Sequence, residues 1–264
     1  MVKVSHELPN NMLHMSNTIN DYEYCLPHLL DQSEEYKNHF LQAKKEGRYI
    51  IMDNSLHELG KAYDEKRLTY WINELKPNEF IVPDVWENQI ATIANAAYWI
   101  HQKFPDKTKK LAVVQAKTIE EAISCYTNLK KIGYKKIAFS YGAQYFNDVF
   151  PHPNKFVGKM MGRILTIHKM WGMGIIEPTD KIHLLGCALP QEFAYYKQLM
   201  DLGVIESLDT SNPIIHGLKG IRYEHYGLKE KDPTKIDQLE EVELTSDVLY
   251  NINHNLIKFK QFLK

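Results

Sequence analysis

The stretch Val204-Ile205-Glu206-Ser207-Leu208-Asp209-Thr210-Ser211-Asn212-Pro213 decides how the whole chain is read, because an apolar strand-like run stops there in an acid, two hydroxyls and a turn. A carboxylate just beyond the C-terminal end of a buried strand is held rigidly and faces a cleft, where parallel α/β folds place their chemistry. Alone, Asp-Thr-Ser also reads as a helix N-cap or a turn.

Outward from Asp209 the same unit recurs. Tyr49-Ile50-Ile51-Met52 runs into Asp53-Asn54-Ser55, Phe80-Ile81-Val82 into Pro83-Asp84, and Leu111-Ala112-Val113-Val114 into Gln115. Ile137-Ala138-Phe139 runs into Ser140-Tyr141-Gly142, and Ile182-His183-Leu184-Leu185 into Gly186. Helical patterns over residues 56–75, 89–104, 118–132, 156–171 and 190–202 lie between these runs. Thr118-Ile119-Glu120-Glu121 has the form of a capping box with Gly133 as its stop, and Ser33-Glu34-Glu35 opens a helix that Gly47 ends. Strand, polar end and helix in repetition predict a parallel sheet whose strand ends face one way. Two weaker candidates, Val2 to Val4 and Tyr22 to Leu26, bring the count to eight strands, which predicts a (β/α)8 TIM-type barrel. The alternative is a doubly wound open sheet, but no glycine-rich phosphate loop follows any strand. Past Pro213 the rhythm is lost: residues 214–240 read as loop and short elements, and 246–263 as an amphipathic helix that closes the barrel. The organisation expected is one domain over 1–264, with a barrel core over 1–213 and a C-terminal helical extension over 214–264.

Hydrophobic residues at 44% and charged residues at 25% are globular values that exclude a disordered chain. A formal charge of -1 leaves no general positive field, so nucleic acid would be held by a local basic patch. Cys25, Cys125 and Cys187 lie far apart, which points to a reduced compartment without a disulfide framework. Residues 1–7 lack a signal-type apolar core and no run approaches membrane-spanning length, so a cytoplasmic protein with no membrane partner is expected.

The strand ends bring Asp53, Asp84, Gln115, residues 140–142, Gly186 and Asp209 to one mouth. Carboxylates with an amide suit a flat heterocycle rich in hydrogen-bond donors, and they suit covalent glycosyl transfer between two carboxylates. Each residue also has a plainer reading: Asp53 as a helix cap, Asp84 after Pro83 as a turn residue, Gln115 as a solvated amide, Gly186 as a tight turn. His183, inside an apolar run, reads as a hydrogen-bonded core histidine.

The ordered series of these strand ends over residues 49–213 resembles the tRNA-guanine transglycosylase superfamily, and most of all its shorter phage branch, the DpdA-like DNA-guanine transglycosylases. The resemblance implies a barrel and a base exchange, in which guanine leaves a nucleotide, a covalent sugar-enzyme intermediate forms, and a 7-deazaguanine takes its place. It puts Asp209 at the nucleophile position and Asp53 at that of the general acid/base. Asp84 matches the aspartate that reads the guanine edge, and Gln115 the glutamine on the base. Ser140, Tyr141 and Gly142 stand where the family has a Gly-Gly backbone contact. Asn54 and Gly186 belong to the same base-binding set, and His57 falls near a base-stacking aromatic. The tRNA enzymes carry a zinc site of clustered cysteines and a histidine after the nucleophile, whereas no cysteine follows Asp209. A tetrahedral site needs four close ligands, so no zinc subdomain, metal or cofactor is expected. The Asp-Ser-Gly-Gly loop of the family is Asp53-Asn54-Ser55-Leu56 here.

A basic stretch from Pro151 to Lys181 holds Lys155, Lys159 and Arg163 at i,i+4 spacing, with Lys169 further on. These four are candidates for the nucleic-acid backbone, against a solvated helix face. Lys107, Lys109 and Lys110 read as a solvated loop at a strand's remote end. The function expected is exchange of guanine in DNA for a 7-deazaguanine base, the small-molecule substrate. The alternatives are the same chemistry on tRNA and a non-catalytic base- or nucleic-acid-binding subunit. An unrelated barrel hydrolase or aldolase would want a metal cluster or a strand-end lysine, and neither stands out.

Overall fold

Each apolar run of the sequence is a parallel strand with both faces covered, which is why these runs are continuous rather than alternating. The computed structural model describes residues 2–104 and 108–264. Its eight strands are β1 (Lys3–Ser5), β2 (Glu23–Cys25), β3 (Ile50–Met52), β4 (Glu79–Ile81), β5 (Lys109–Val114), β6 (Lys136–Ser140), β7 (Lys181–Leu185) and β8 (Ile205–Asp209). They run in the order β1-β8-β7-β6-β5-β4-β3-β2 and, with helices between them, form the nearly closed (β/α)8 barrel that the repetition predicts. Register sets the chemistry level. Ser5 pairs with Asp209, Leu185 with Asp209, and Ser140 with Leu185, so polar strand ends share one rim.

Among the described residues no ladder joins β1 and β2. Two side chains substitute for it: the Asn20 amide accepts from the His6 N–H at 2.6 Å and donates to the His6 carbonyl at 3.0 Å. Asp21 accepts from the Val4 N–H at 2.9 Å, and its own N–H donates to the Val4 carbonyl at 2.9 Å. Backbone groups at the seam are thereby satisfied without a ninth strand.

The helices follow their local signals, with three differences. The 56–75 pattern splits into Leu56–Leu59 and Glu65–Leu75, because Gly60 turns left-handed at φ 71° and Asp64 caps a new start. The 89–104 pattern ends at Trp99. Over 190–202 the chain opens as a 3-10 turn, Pro190–Tyr196, before the helix Lys197–Asp201. Lys109 and Lys110 begin β5 rather than lying in a loop, and Lys107 is outside the described residues. Lys110 donates to the carbonyls of Ile100 and Gln102 after the helix Gln89–Trp99. Beyond β8 come the helix Asn212–Leu218 and the terminal helix Ser246–Phe262, which meet so closely that a Cβ on Gly217 would stand 2.6 Å from Ile252 Cα. Among the described residues no helix is long and apolar enough to cross a membrane.

Arg163 is not a surface cation. It sits within the helix Lys155–Gly172 with no exposed surface, and all five of its N–H donors are used. Nε and Nη2 reach Glu192 at 2.6 and 2.9 Å, Nη1 reaches the carbonyls of Phe139 and Leu185 at 3.0 Å each, and Nη2 reaches that of Gly186 at 2.9 Å. The guanidinium thus stands level with the ends of β6 and β7. At 1.5 Å per residue, Lys155 rises about 12 Å above that level and Lys169 falls about 9 Å below it. Lys169 is therefore remote from the rim, which also removes it from the set expected to meet a polymer there.

Removing one partner of a buried pair strands the other charge, at a cost of about 3–5 kcal/mol. Glu192→Gln is expected to lower the unfolding free energy read from urea titration by a comparable amount, and an unchanged value would show that the pair does not hold the fold.

Candidate active site

A cleft with about 540 Å³ of empty space, its open mouth included, lies at the C-terminal rim of the barrel, and Asp53, Asn54, His57, Asp84, Gln115, Ser140, Tyr141, Gly186 and Asp209 all line it. These are the residues that the strand-end series singles out. Gly142 is the exception: it stands behind the wall, where its N–H donates to Ser140 Oγ at 3.2 Å, and a Cβ there would press to 2.7 Å from the Trp86 ring.

Asp209 ends β8, oriented by two donors. His183 Nε2 lies 3.0 Å from Oδ1, and the Gly186 N–H donates to Oδ2 at 3.3 Å. Burial holds His183 well below its ordinary range, so it is neutral; with Nε2–H given to Asp209, Nδ1 accepts from Ser207 Oγ at 2.8 Å. It is a core histidine, as its apolar flanks imply. Gly186 turns at φ 58°, and the Tyr141 ring packs so tightly on it that a Cβ would sit 2.6 Å from Tyr141 Cδ1.

Asp53 follows β3 and accepts from the Ser55 N–H at 2.9 Å, with Ser55 itself in the left-handed region at φ 59°. Asp84 follows β4 and is gripped by two amides, Asn54 Nδ2 on Oδ1 and Gln115 Nε2 on Oδ2, each at 2.6 Å. Gln115 is fixed in turn by the Glu87 N–H, which donates to Oε1 at 2.9 Å. An ionised carboxylate has about four acceptor positions, so each Asp84 oxygen keeps one for a ligand. The His57 ring lies 5.7 Å from Tyr141 and 6.1 Å from Trp86, an aromatic rim suited to a flat ring.

Among the further wall residues, two acids and two aromatics are not singled out by the sequence: Glu7, Glu58, Tyr24 and Trp86. Glu7 lies two residues past β1, where the strand-end rule finds it once that short strand is accepted. Trp86 follows Asp84 in a loop, and Tyr24 points inward from β2. Glu58 Oε2 is buried without a hydrogen-bond partner among the described residues.

Five carboxylates thus share one cavity, and like charges crowded at a buried site do not all ionise readily. Burial, then the charges of Asp209 and Asp53, pushes Glu7 up to about 8. Burial raises Asp209 to about 7, against the Gly186 N–H and the Arg163 charge. Burial and then Asp209 raise Asp53 to about 6. Burial also raises Asp84 to about 6, against the bonds from Gln115 and Asn54. Burial holds Glu58 well above its ordinary range as well, so near neutrality the cavity retains protons on Glu58 and Glu7, while Asp53 and Asp84 are mostly ionised.

Raised carboxylate values mean that the folded protein binds more protons than the unfolded chain between the ordinary and the raised value, so stability falls as pH rises through that window. For Glu7 the window runs from its ordinary 4.5 to about 8. Glu7→Gln should therefore raise Tm over the wild type at about pH 9, with the gain shrinking towards about pH 5. A pH-independent difference would place the Glu7 carboxyl outside this charge network.

No protein-family model matches the sequence, and no curated protein matches it. Among solved structures, the chain is similar to one in the crystal structure of the Amycolatopsis orientalis BexX/CysO complex, with a TM-score of 0.44 and 7% identity over 99% of this chain and 92% of that one. A likeness of that degree carries no argument about activity.

Proposed function

We propose that the chain is a guanine transglycosylase that exchanges guanine in DNA for a 7-deazaguanine base through a covalent glycosyl-aspartate intermediate. The observation that supports this reading best is the placing of Asp209 and Asp53 in one cavity with an Asp84 carboxylate held by two amides. Asp84 would accept the N1–H and 2-amino donors of a guanine edge through its two free lone-pair positions, with Tyr141, Trp86 and His57 beside the ring. Held so, the base would direct C1′ towards Asp209.

In the first half, an Asp209 oxygen bonds to C1′ as the C1′–N9 bond breaks, and the electron pair leaves with guanine. The departing base takes a proton from the acid pool of Asp53 and Glu7. In the second half the same pool removes the N9 proton of the incoming 7-deazaguanine, N9 bonds to C1′, and Asp209 is released as a carboxylate. Two displacements retain configuration at C1′. DNA is preferred to tRNA because the resemblance is to the DNA-modifying branch and no cysteine follows Asp209. The target nucleotide must leave the stack, since C1′ behind a paired base is out of reach.

Incubation with labelled 7-deazaguanine and either DNA or tRNA tests the reaction, and uptake by neither would refute it. Asp209→Asn should give no covalent adduct while still binding the base. Asp53→Asn should slow exchange by about 10²–10⁴-fold, the usual worth of a general acid/base. Adduct formation by Asp209→Asn at the wild-type level would remove the nucleophile assignment.

The two halves need an ionised Asp209 and a protonated acid. Exchange should rise with pH through about 7 and fall through about 8, with the falling limb assigned to Glu7. Glu7→Gln should remove that limb, and a falling limb left in place would return the acid role to Asp53 alone.

A further inference from the structure

The C-terminal extension returns over the rim as a strap across residues 227–232, tied down along its length. Gln191 makes two bonds to Leu228, at 2.7 and 3.0 Å, and Asn154 Nδ2 donates to the Lys229 carbonyl at 2.8 Å. The Asp232 N–H donates to His216 Nε2 at 3.1 Å, and the Asp232 carboxylate pairs with Lys219 at 3.3 Å. Between these ties stands Lys231. Its ammonium lies 3.8 Å from the centre of the Tyr141 ring and donates to the Cys187 carbonyl at 3.1 Å. Lys159, on the two helical turns that project above the strand ends, donates to the Gly142 carbonyl at 3.0 Å.

Two ammonium groups from distant parts of the chain are therefore fixed on consecutive residues, Tyr141 in the cavity wall and Gly142 just behind it. Each retains N–H donors beyond those used. Neither is in an ion pair among the described residues. Burial holds Lys159 below its ordinary range and Lys231 adds to the effect, as repelling cations do. Fixed, unpaired like charges at a rim are stabilised by a bridging anion.

We infer that Lys159 and Lys231 form a seat for a phosphodiester at the rim, where it takes the phosphate of the nucleotide whose base enters the cavity. The polymer rests on the reading proposed above; the anion seat rests on the two lysines. The seat replaces the row expected along one helix face, since Arg163 is buried and Lys169 is remote, and it recruits a lysine from the extension.

Fluorescence anisotropy with a labelled oligothymidylate, which offers no guanine to exchange, measures the phosphate term alone. Across a potassium chloride series, Lys159→Gln and Lys231→Gln should each weaken binding several-fold and flatten the log-log salt slope by about 0.7 for each phosphate no longer neutralised. Lys169→Gln, on the same helix but below the rim, should match the wild type, and equal melting temperatures would exclude misfolding. Unchanged slopes for both rim variants, or an equal loss in Lys169→Gln, would overturn the seat. So would a Lys231→Gln variant that shifts only the pH profile of exchange, which would make Lys231 a counter-ion of the carboxylates. Base exchange with unchanged slopes would sink the seat and leave transglycosylation standing. Altered slopes in a protein that exchanges no base would do the reverse.

Discussion

The Arg163 guanidinium is the contact from which the rim is built. A planar group with five donors in a fixed fork can satisfy strand-end carbonyls and a carboxylate at once, which no ammonium can do. By binding the carbonyls of Phe139, Leu185 and Gly186 it fixes β6 and β7 where their ladder ends. The left-handed turn at Gly186 then aims an N–H at Asp209 and seats the Tyr141 ring. Glu192 makes this tolerable in the core, and Tyr196 donates to Glu192 Oε1 at 2.9 Å. A buried ion pair of this kind contributes little net stability compared with an apolar substitute, so its worth lies in the geometry it imposes.

The second constraint is electrostatic. The rim collects acids with few cations among them, and burial raises most of them together. Their environments still differ: each Asp84 oxygen takes one amide donor, Asp209 is held by a neutral histidine and a backbone N–H, and Glu7 has no such support. That graded support sets which of the acids hold protons and which are ionised near neutrality.

The barrel and most of the cavity were legible in the sequence for one reason: a parallel strand buried on both faces must be apolar throughout, so its polar end stands out. Asp53, Asp84, Gln115 and Asp209 were found this way. Glu7 was obscured because β1 is only three residues long. Arg163 was misread because i,i+4 spacing identifies a face without saying what covers it, and its partner Glu192 is 29 residues away. Trp86 and Lys231 sit in loops, where no periodicity reports direction. The split of the helix after Leu59 was readable in hindsight from Gly60 and Asp64, a C-cap followed by an N-cap.

The seam between β1 and β2 bears on how the molecule comes to exist. Among the described residues the first strand's only ladder is with β8, and His6 meets Thr210 across 204 residues. Contacts so far apart in the chain are rewarded only after the intervening loop entropy has been met. The enclosure of Asp209, with Glu7 in the same cavity, therefore depends on a pairing between the first and last strands of the barrel. The acidic chamber is thus a property of the completed ring rather than of any βα unit within it.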